Sequence, residues 1–403
     1  MPITLTQEQM SVHDAIMDYV GNPSIEYISV AGYAGTGKTT VMGSTAHDLV
    51  SRNKKLRVAY VAPTGKAALV LEKKLQEFGA LTDLSYTGTI HSLIYTPVKK
   101  KGGGVSWLLV PNLDFDLIVV DEASMVRQDI FSDLLSFNLP LLFIGDSGQL
   151  PPVNDVLFEP LQTTDLRLKT VHRQALDNPI IKAATDIRNG GDVPFGVQGN
   201  RLAKMHRGSS RVQDICSGFM KVVGSDDSVI LCGMNKTRVA YNTKVRLIQG
   251  FAQKGGKYPI KGERLICLKN DSVTNFRNGQ LLRVCEDTKP TEPSSSCYIT
   301  SLEEFPSDLV SYAGSLHCPD IQVAMKQLQE DRSTLNTLLE KNRQTDPLLL
   351  DYGYALSVHK AQGSEWERVL LVDERNRYMS DDDYTRWLYT GVTRAKERLL
   401  IVS

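Results

Sequence analysis

Cysteine is scarce in this 403-residue sequence: there are six, at Cys216, Cys232, Cys267, Cys285, Cys297 and Cys318, all in the second half and none in a CxxC pair. That argues against a disulfide-stapled scaffold or a thiolate zinc site and makes reduced thiols in a cytosol the expected state. An excess of one charge is also missing. The 46 basic residues balance 46 acidic ones, so no global field draws a polyanion, and a nucleic-acid partner has to be argued from local groups. No apolar run approaches the roughly 18 residues of a membrane-spanning helix, and Met1–Met10 lacks the basic-then-apolar layout of a signal peptide. A cytoplasmic protein without a membrane partner is expected. No short-period repeat is evident. What is present, 41% hydrophobic and 23% charged residues, is a globular composition, and the length suggests two to four domains.

The stretch Glu26–Thr40, EYISVAGYAGTGKTT, organises the rest. Tyr27, Ile28 and Val30 predict a short buried strand over Glu26–Ala31. It runs into Gly32, Tyr33, Ala34, Gly35, Thr36, Gly37, Lys38 and Thr39, the phosphate-loop pattern GxxxxGK[ST], followed by Thr40. The glycines let the backbone curl with its N–H groups inward, and a helix starting at about Gly37 would turn its positive end to the same anion. Lys38 would reach the β- and γ-phosphates, and the Thr39 hydroxyl would ligate Mg²⁺. The pattern points to a nucleoside triphosphate.

Other candidates follow in chain order. Thr6 is a plausible cap for an amphipathic helix, and Gln9 could read an adenine edge with its amide or be a solvated helix residue. A second strand, Arg57–Val61, leads into Pro63-Thr64-Gly65-Lys66, where a loop at a strand's carboxyl end suits a phosphodiester; an ordinary strand-to-helix turn fits as well. Thr89-Ile90-His91-Ser92-Leu93 is a similar polar–apolar segment. Tyr95–Asn112 reads as a β-hairpin with a lysine-glycine tip and Trp107 on its descending arm. That tryptophan could stack on a base or wedge a duplex apart, or it could pack the hairpin onto its neighbours. Leu117–Val120 is a strand buried on both faces that ends in Asp121 and Glu122, expected beside the phosphate loop. Asp121 would hold Mg²⁺, and Glu122 would orient and deprotonate the attacking water. Leu141–Ile144 repeats this arrangement and ends in a loop carrying Gln149, which could touch the γ-phosphate.

In this order, Gln9, GYAGTGKT, APTGKAA, TIHSL, DEAS at Asp121–Ser124 and GDSGQLPPV resemble the successive motifs of superfamily 1 helicases. GDSGQLPPV following DEAS points to group B, the RecD/Dda-like type, with the phage-type Dda helicase the nearest resemblance. In the second half, Leu168–Gln174 resembles the fourth motif, with its arginine at Arg173. Asn235 and Asn242 match a polar turn. His359-Lys360-Ala361-Gln362-Gly363-Ser364-Glu365 resembles the fifth motif, and Leu388–Ala395 the sixth, with its arginine at Arg394.

The resemblance implies an α/β fold: two RecA-like phosphate-loop NTPase cores with ATP between them. Residues 1–94 and 113–165 would form the first core, interrupted by a hairpin at 95–112. Residues 166–246 and 348–403 would form the second, interrupted by a small β-barrel and helices at 247–347. Within that insertion Gly262–Leu268 and Asn278–Val284 read as strands, and Ile321–Arg343 as one or two helices with an apolar face. The implied catalytic set is Lys38, Thr39, Asp121, Glu122, Gln149, Arg173 and Arg394, with Gly363 and Glu365 near ATP and Mg²⁺ on Thr39 and Asp121. Pro63, Thr64, Lys66, Thr89, His91, Trp107, Asn235 and His359 would face DNA. The implied activity is ATP-driven movement along single-stranded DNA, 5′→3′, with separation of forked or tailed duplexes. The expected setting is a bacterial or phage-infected cytosol, with a monomer serving replication, recombination or repair alongside proteins of those pathways. A translocase that displaces bound proteins, an RNA helicase and an ATP-switched nucleic-acid clamp are the alternatives.

Overall fold

The computed structural model describes residues 4–23, 26–99, 105–153, 155–171, 177–224, 227–256, 258–269, 271, 276–290, 298–304, 317–325 and 348–403. Its chain divides into two units. The first comprises Met1–Val98, Ser106–Asp192 and Asp381–Thr393; the second comprises Lys99–Val105, Val193–Ser380 and Arg394–Ser403. The stretch expected as one piece, 348–403, is therefore shared out, because the helix Asp381–Val392 packs within the first unit.

The first unit is built on six strands: β1 (Tyr27–Gly32), β2 (Val58–Ala62), β3 (Tyr86–Thr89), β6 (Leu117–Val120), β7 (Leu141–Gly145) and β8 (Arg167–Leu168), in the order β3-β2-β6-β7-β1-β8. All five pairings are parallel. Strands β2, β6 and β7 are buried at every position, as continuous apolar runs require when helices cover both faces. The acidic strand β6 is not the direct neighbour of β1, because β7 lies between them. Strand β7 thus stands between the Asp121 strand and β1, while Asp121 is still close enough to Lys38 to feel its charge. β4 (Tyr95–Lys99) and β5 (Val105–Leu109) form a separate two-stranded sheet, the expected hairpin.

The second unit repeats the α/β plan in β9 (Gly196–Gln198), β10 (Leu202–Met205), β11 (Ser228–Cys232), β18 (Ala355–Ser357), β19 (Trp366–Val372) and β20 (Ala395–Val402), in the order β18-β11-β19-β20-β10-β9. Only the β9–β10 pairing is antiparallel. A third sheet joins β12 (Arg264–Cys267), β13 (Leu281–Val284), β14 (Lys289–Pro290), β15 (Tyr298–Glu304), β16 (His317–Met325) and β17 (Leu348–Tyr352). Pairing of β13 with β15 closes β13-β12-β17-β16-β15 into a ring, a small barrel around Leu265, Leu282, Val284 and Leu350.

The helix expected from Ile321 is not formed there. Ile321–Met325 belongs to β16, which pairs with β15 on one side and β17 on the other. Two ladders outweigh an apolar spacing that also suits a helix. The remainder of that expectation, 326–343, lies outside the described residues. Asn242 joins barrel to sheet: its fully buried amide donates to the carbonyls of Tyr352 (3.1 Å) and Ala355 (3.4 Å) and accepts from the Ala355 N–H (2.8 Å).

Candidate nucleotide and nucleic-acid site

The phosphate loop leaves β1 and enters the helix Lys38–Arg52, whose N-cap is Gly37. Gly35 and Gly37 stand at φ 78° and 82°, conformations in which a side chain would be strained. Gly32 is fixed by space instead: a Cβ there would come within 2.7 Å of Lys38 Cγ. The Thr36 hydroxyl donates to Tyr33 O (2.8 Å). Lys38 Nζ donates to the carbonyls of Gly32 (2.8 Å) and Tyr33 (3.1 Å), so the lysine lies along the loop it would share with phosphates. The Thr39 side chain is exposed at the first turn, and Thr40 is half-buried.

Gln9 is buried, at 3% exposure, which disposes of the solvated reading. Its amide closes a capping box with Thr6 and donates through Nε2 to Thr36 O (3.2 Å), tying the helix Gln7–Gly21 to the phosphate loop.

Asp121 and Glu122 stand at the end of β6. Burial pushes the Asp121 carboxyl above its ordinary range, opposed by the Glu122 backbone N–H and the Lys38 charge. Glu122 has a left-handed backbone, φ 52° and ψ 39°. Among the described residues only Asn138 shares that feature outside glycine. Strain of this kind costs on the order of 1–3 kcal/mol and collects at functional sites. Gln149, 4% exposed, has a side-chain oxygen with no hydrogen-bond partner, and so has the buried Ser124 hydroxyl. An unmet buried acceptor at Gln149, one residue from Gly148, where a Cβ would lie 3.5 Å from the ring of phosphate-loop Tyr33, is what a polar ligand would satisfy. One carboxylate and one hydroxyl, Asp121 and Thr39, are the hard-oxygen donors that a hydrated Mg²⁺ takes alongside substrate phosphates, so these residues fit that ion.

Two members of the site escaped sequence reasoning. Asp146, fully buried, accepts from the Gly148 N–H (2.9 Å) and the Tyr389 hydroxyl (2.7 Å), with Lys38 Nζ 3.8 Å away. Tyr389 in turn accepts from the N–H of Ala34 in the phosphate loop (2.9 Å). Its helix is held by two further bonds, Leu150 N–H to Thr390 Oγ1 (3.0 Å) and Arg386 Nη1 to Ser147 O (2.7 Å). Both residues lay within quoted motifs, but nothing local pairs positions 243 apart.

The residues expected to face nucleic acid are placed as follows. Thr64 caps the helix Gly65–Glu77 through Ala67 N–H (3.2 Å), beside half-buried Pro63 and Lys66. Thr89 caps the short helix Ile90–Ile94, on which His91 is exposed with its ring 5.4 Å from that of Tyr95. Trp107 is 54% exposed and Leu108 is 55% exposed, so the tryptophan does not serve as a core contact for the hairpin. In the second unit Asn235 is exposed and accepts from Arg238 Nε (2.9 Å). His359 is half-buried, and desolvation holds its imidazole below the ordinary range, which favours the neutral ring. Gly363 takes φ 69° and Glu365 is exposed. Arg394 is buried, at 3% exposure, and its Nη1 donates to Ser364 O (3.1 Å), joining the fifth and sixth motifs. Arg173 lies outside the described residues.

These features define a phosphate-loop α/β fold, and comparison with known proteins agrees. Residues 4–208 match the AAA domain family and residues 352–402 the UvrD-like helicase C-terminal domain. The chain belongs to the AAA domain family. It is similar to the superfamily 1 helicases of the RecD/Dda type. It is 27% identical over 412 residues to the ATP-dependent RecD2 DNA helicase of Deinococcus radiodurans, covering 98% of this chain and 48% of that one. The chain thus spans about half the length of that relative. It is also 26% identical over 311 residues to the ATP-dependent DNA helicase dda of Enterobacteria phage T4, covering 70% of this chain and 67% of that one. Among solved structures, Pif1 helicase from Candida albicans aligns over 100% of this chain and 95% of its own, with 17% identity and a TM-score of 0.52. Bacteroides Pif1 bound to single-stranded DNA aligns over 99% and 92%, with 16% identity and a TM-score of 0.52. The fold is α/β with two RecA-like units.

Proposed function

We propose that this chain is an ATP-dependent DNA helicase that moves along single-stranded DNA and separates duplexes. The observation that carries the reading is the assembly, in one unit, of Lys38, Asp121, Glu122 and the unpartnered Gln149 oxygen around the phosphate loop. The names of the RecD2 and Dda relatives supply the nucleic acid. In this reading the first core spans 1–94 and 113–165, the second 166–246 and 348–403, with inserts at 95–112 and 247–347.

Lys38 would exchange its two loop carbonyls for phosphate oxygens, gaining a charge-assisted bond in return. Bound at Thr39 and Asp121, Mg²⁺ would neutralise charge on the β- and γ-phosphates. Glu122 would take the proton of the attacking water, and Gln149 would meet the γ-phosphate. Arg173 and Arg394 would supply positive charge as the phosphoryl group departs. Thr64, Lys66, His91 and His359 would contact the strand without base selectivity. Because His359 favours the neutral ring, its part is hydrogen bonding rather than charge.

The test is unwinding of duplexes carrying a 5′ or a 3′ single-stranded tail. ATP-dependent separation of the 5′-tailed duplex alone is expected. Separation of only the 3′-tailed one would reverse the polarity, and ATP turnover indifferent to DNA would end the helicase reading. Running RNA oligomers beside DNA decides between the two nucleic acids.

The exposed hairpin favours strand separation over movement alone. Trp107→Ala is expected to keep DNA-stimulated ATPase within about twofold while slowing unwinding about tenfold, in line with the ~1–3 kcal/mol of a base–aromatic stack. Equal loss of both activities would make Trp107 a structural residue.

A further inference from the structure

We propose that Tyr389 is a positioning residue of the nucleotide site: its hydroxyl bridges the Ala34 N–H and Asp146, holding that carboxylate back from Lys38 so that the lysine stays available to phosphate. The inference rests on the nucleotide-binding reading of the phosphate loop and adds to it a residue that acts through another.

The geometry is a chain of three groups. Ala34 N–H meets the phenol oxygen at 2.9 Å, and the phenol O–H meets Asp146 Oδ2 at 2.7 Å. The same Oδ2 lies 3.8 Å from Lys38 Nζ, beyond a hydrogen bond. Asp146 Oδ1 is already taken by the Gly148 N–H at 2.9 Å. Oδ2 therefore has two suitors, a neutral phenol and an ammonium, and the phenol has it. Tyr389 is 2% exposed and Asp146 fully buried, so water does not offer the carboxylate a substitute. Burial and the neighbouring carboxylate hold the phenol well above its ordinary range, so it stays a donor.

Removing the hydroxyl leaves a buried carboxylate oxygen for which, among the described residues, Lys38 is the cation within 4 Å. An unpaired buried charge is costly, and the side chain of Lys38 is flexible enough to close the gap. A closed Lys38–Asp146 pair then competes with phosphate for the same ammonium.

The experiment measures binding of the slowly hydrolysed analogue AMP-PNP, with Mg²⁺, to the full chain and to Tyr389→Phe, Asp146→Asn and the double variant, with Lys38→Ala as control. Thermal melting checks that each is folded. Tyr389→Phe is expected to weaken binding about tenfold, the size of one charge-assisted hydrogen bond. In the Asp146→Asn background the same substitution should change binding by less than about twofold, because a neutral amide no longer draws the lysine. Asp146→Asn alone should bind at least as tightly as the wild type; weaker binding overturns the proposal even if Tyr389→Phe fails to fold. A purely structural tyrosine would weaken binding equally in both backgrounds, and that result also overturns it. Wild-type binding lost in Lys38→Ala but unchanged in Tyr389→Phe sinks this inference alone. No binding by the wild type sinks the nucleotide reading as well.

Discussion

Replacement of Lys38 by alanine is expected to abolish ATP turnover while leaving the fold intact. The lysine reaches both halves of the catalytic arrangement: it bonds the loop carbonyls of Gly32 and Tyr33 and lies 3.8 Å from Asp146. Its charge also lowers the Asp121 carboxyl against the effect of burial. Alanine removes the cation from a place where phosphates bring several negative charges, so ground state and transition state both lose. The fold should tolerate the change, because the packing around β1 and its helix comes from Val30, Val41, Met42 and Leu49 rather than from the lysine. DNA-stimulated phosphate release and a thermal melt are the two measurements. Full turnover in Lys38→Ala would refute the site, and a collapsed melt would assign the lysine a structural role.

Glu122→Gln should separate binding from chemistry. Glutamine keeps the length and hydrogen-bonding shape of glutamate but cannot accept a proton, so turnover should fall by about 10²–10⁴, the usual worth of general-base catalysis. Nucleotide affinity should stay within a few-fold, since Lys38 and the loop amides are untouched. The strained backbone at φ 52° is the reason to prefer glutamine to a β-branched or small replacement, which would confound chemistry with local refolding. Single-turnover hydrolysis beside AMP-PNP binding reads the split. A variant that hydrolyses normally would move the base elsewhere, and one that loses affinity and turnover equally would make Glu122 a binding group.

Local order was legible in the sequence; long-range partnership was not. The phosphate loop, its helix and the cap at Thr6 are set by residues within a few positions of each other, and they stand where the pattern puts them; the caps at Thr64 and Thr89 are just as local, but the sequence pointed those threonines toward nucleic acid instead. The hairpin was legible because a glycine tip separates two short strand-like runs. The order of strands was harder. A continuous apolar run says that β6 is buried, not which strand lies beside it, and β7 intervenes before β1. Segment Ile321–Met325 misled because its spacing suits helix and strand alike, and β15 and β17 decide the matter. Asp146 and Tyr389 were invisible as a pair, since only the folded chain brings a strand-end loop to a helix 243 residues on.

The barrel has a mechanical consequence within the second unit. Tyr352 ends a barrel strand and Ala355 begins a strand of the parallel sheet, with only Gly353 and Tyr354 between them. A side chain on Gly353 would meet the Leu265 backbone at 3.0 Å, and Asn242 grips both ends of this junction. Two linking residues tied at both ends leave little room for a hinge. A load applied to the barrel would therefore pass, as by a spanner, into β18, and from its last residue, Ser357, straight to the turn bearing His359.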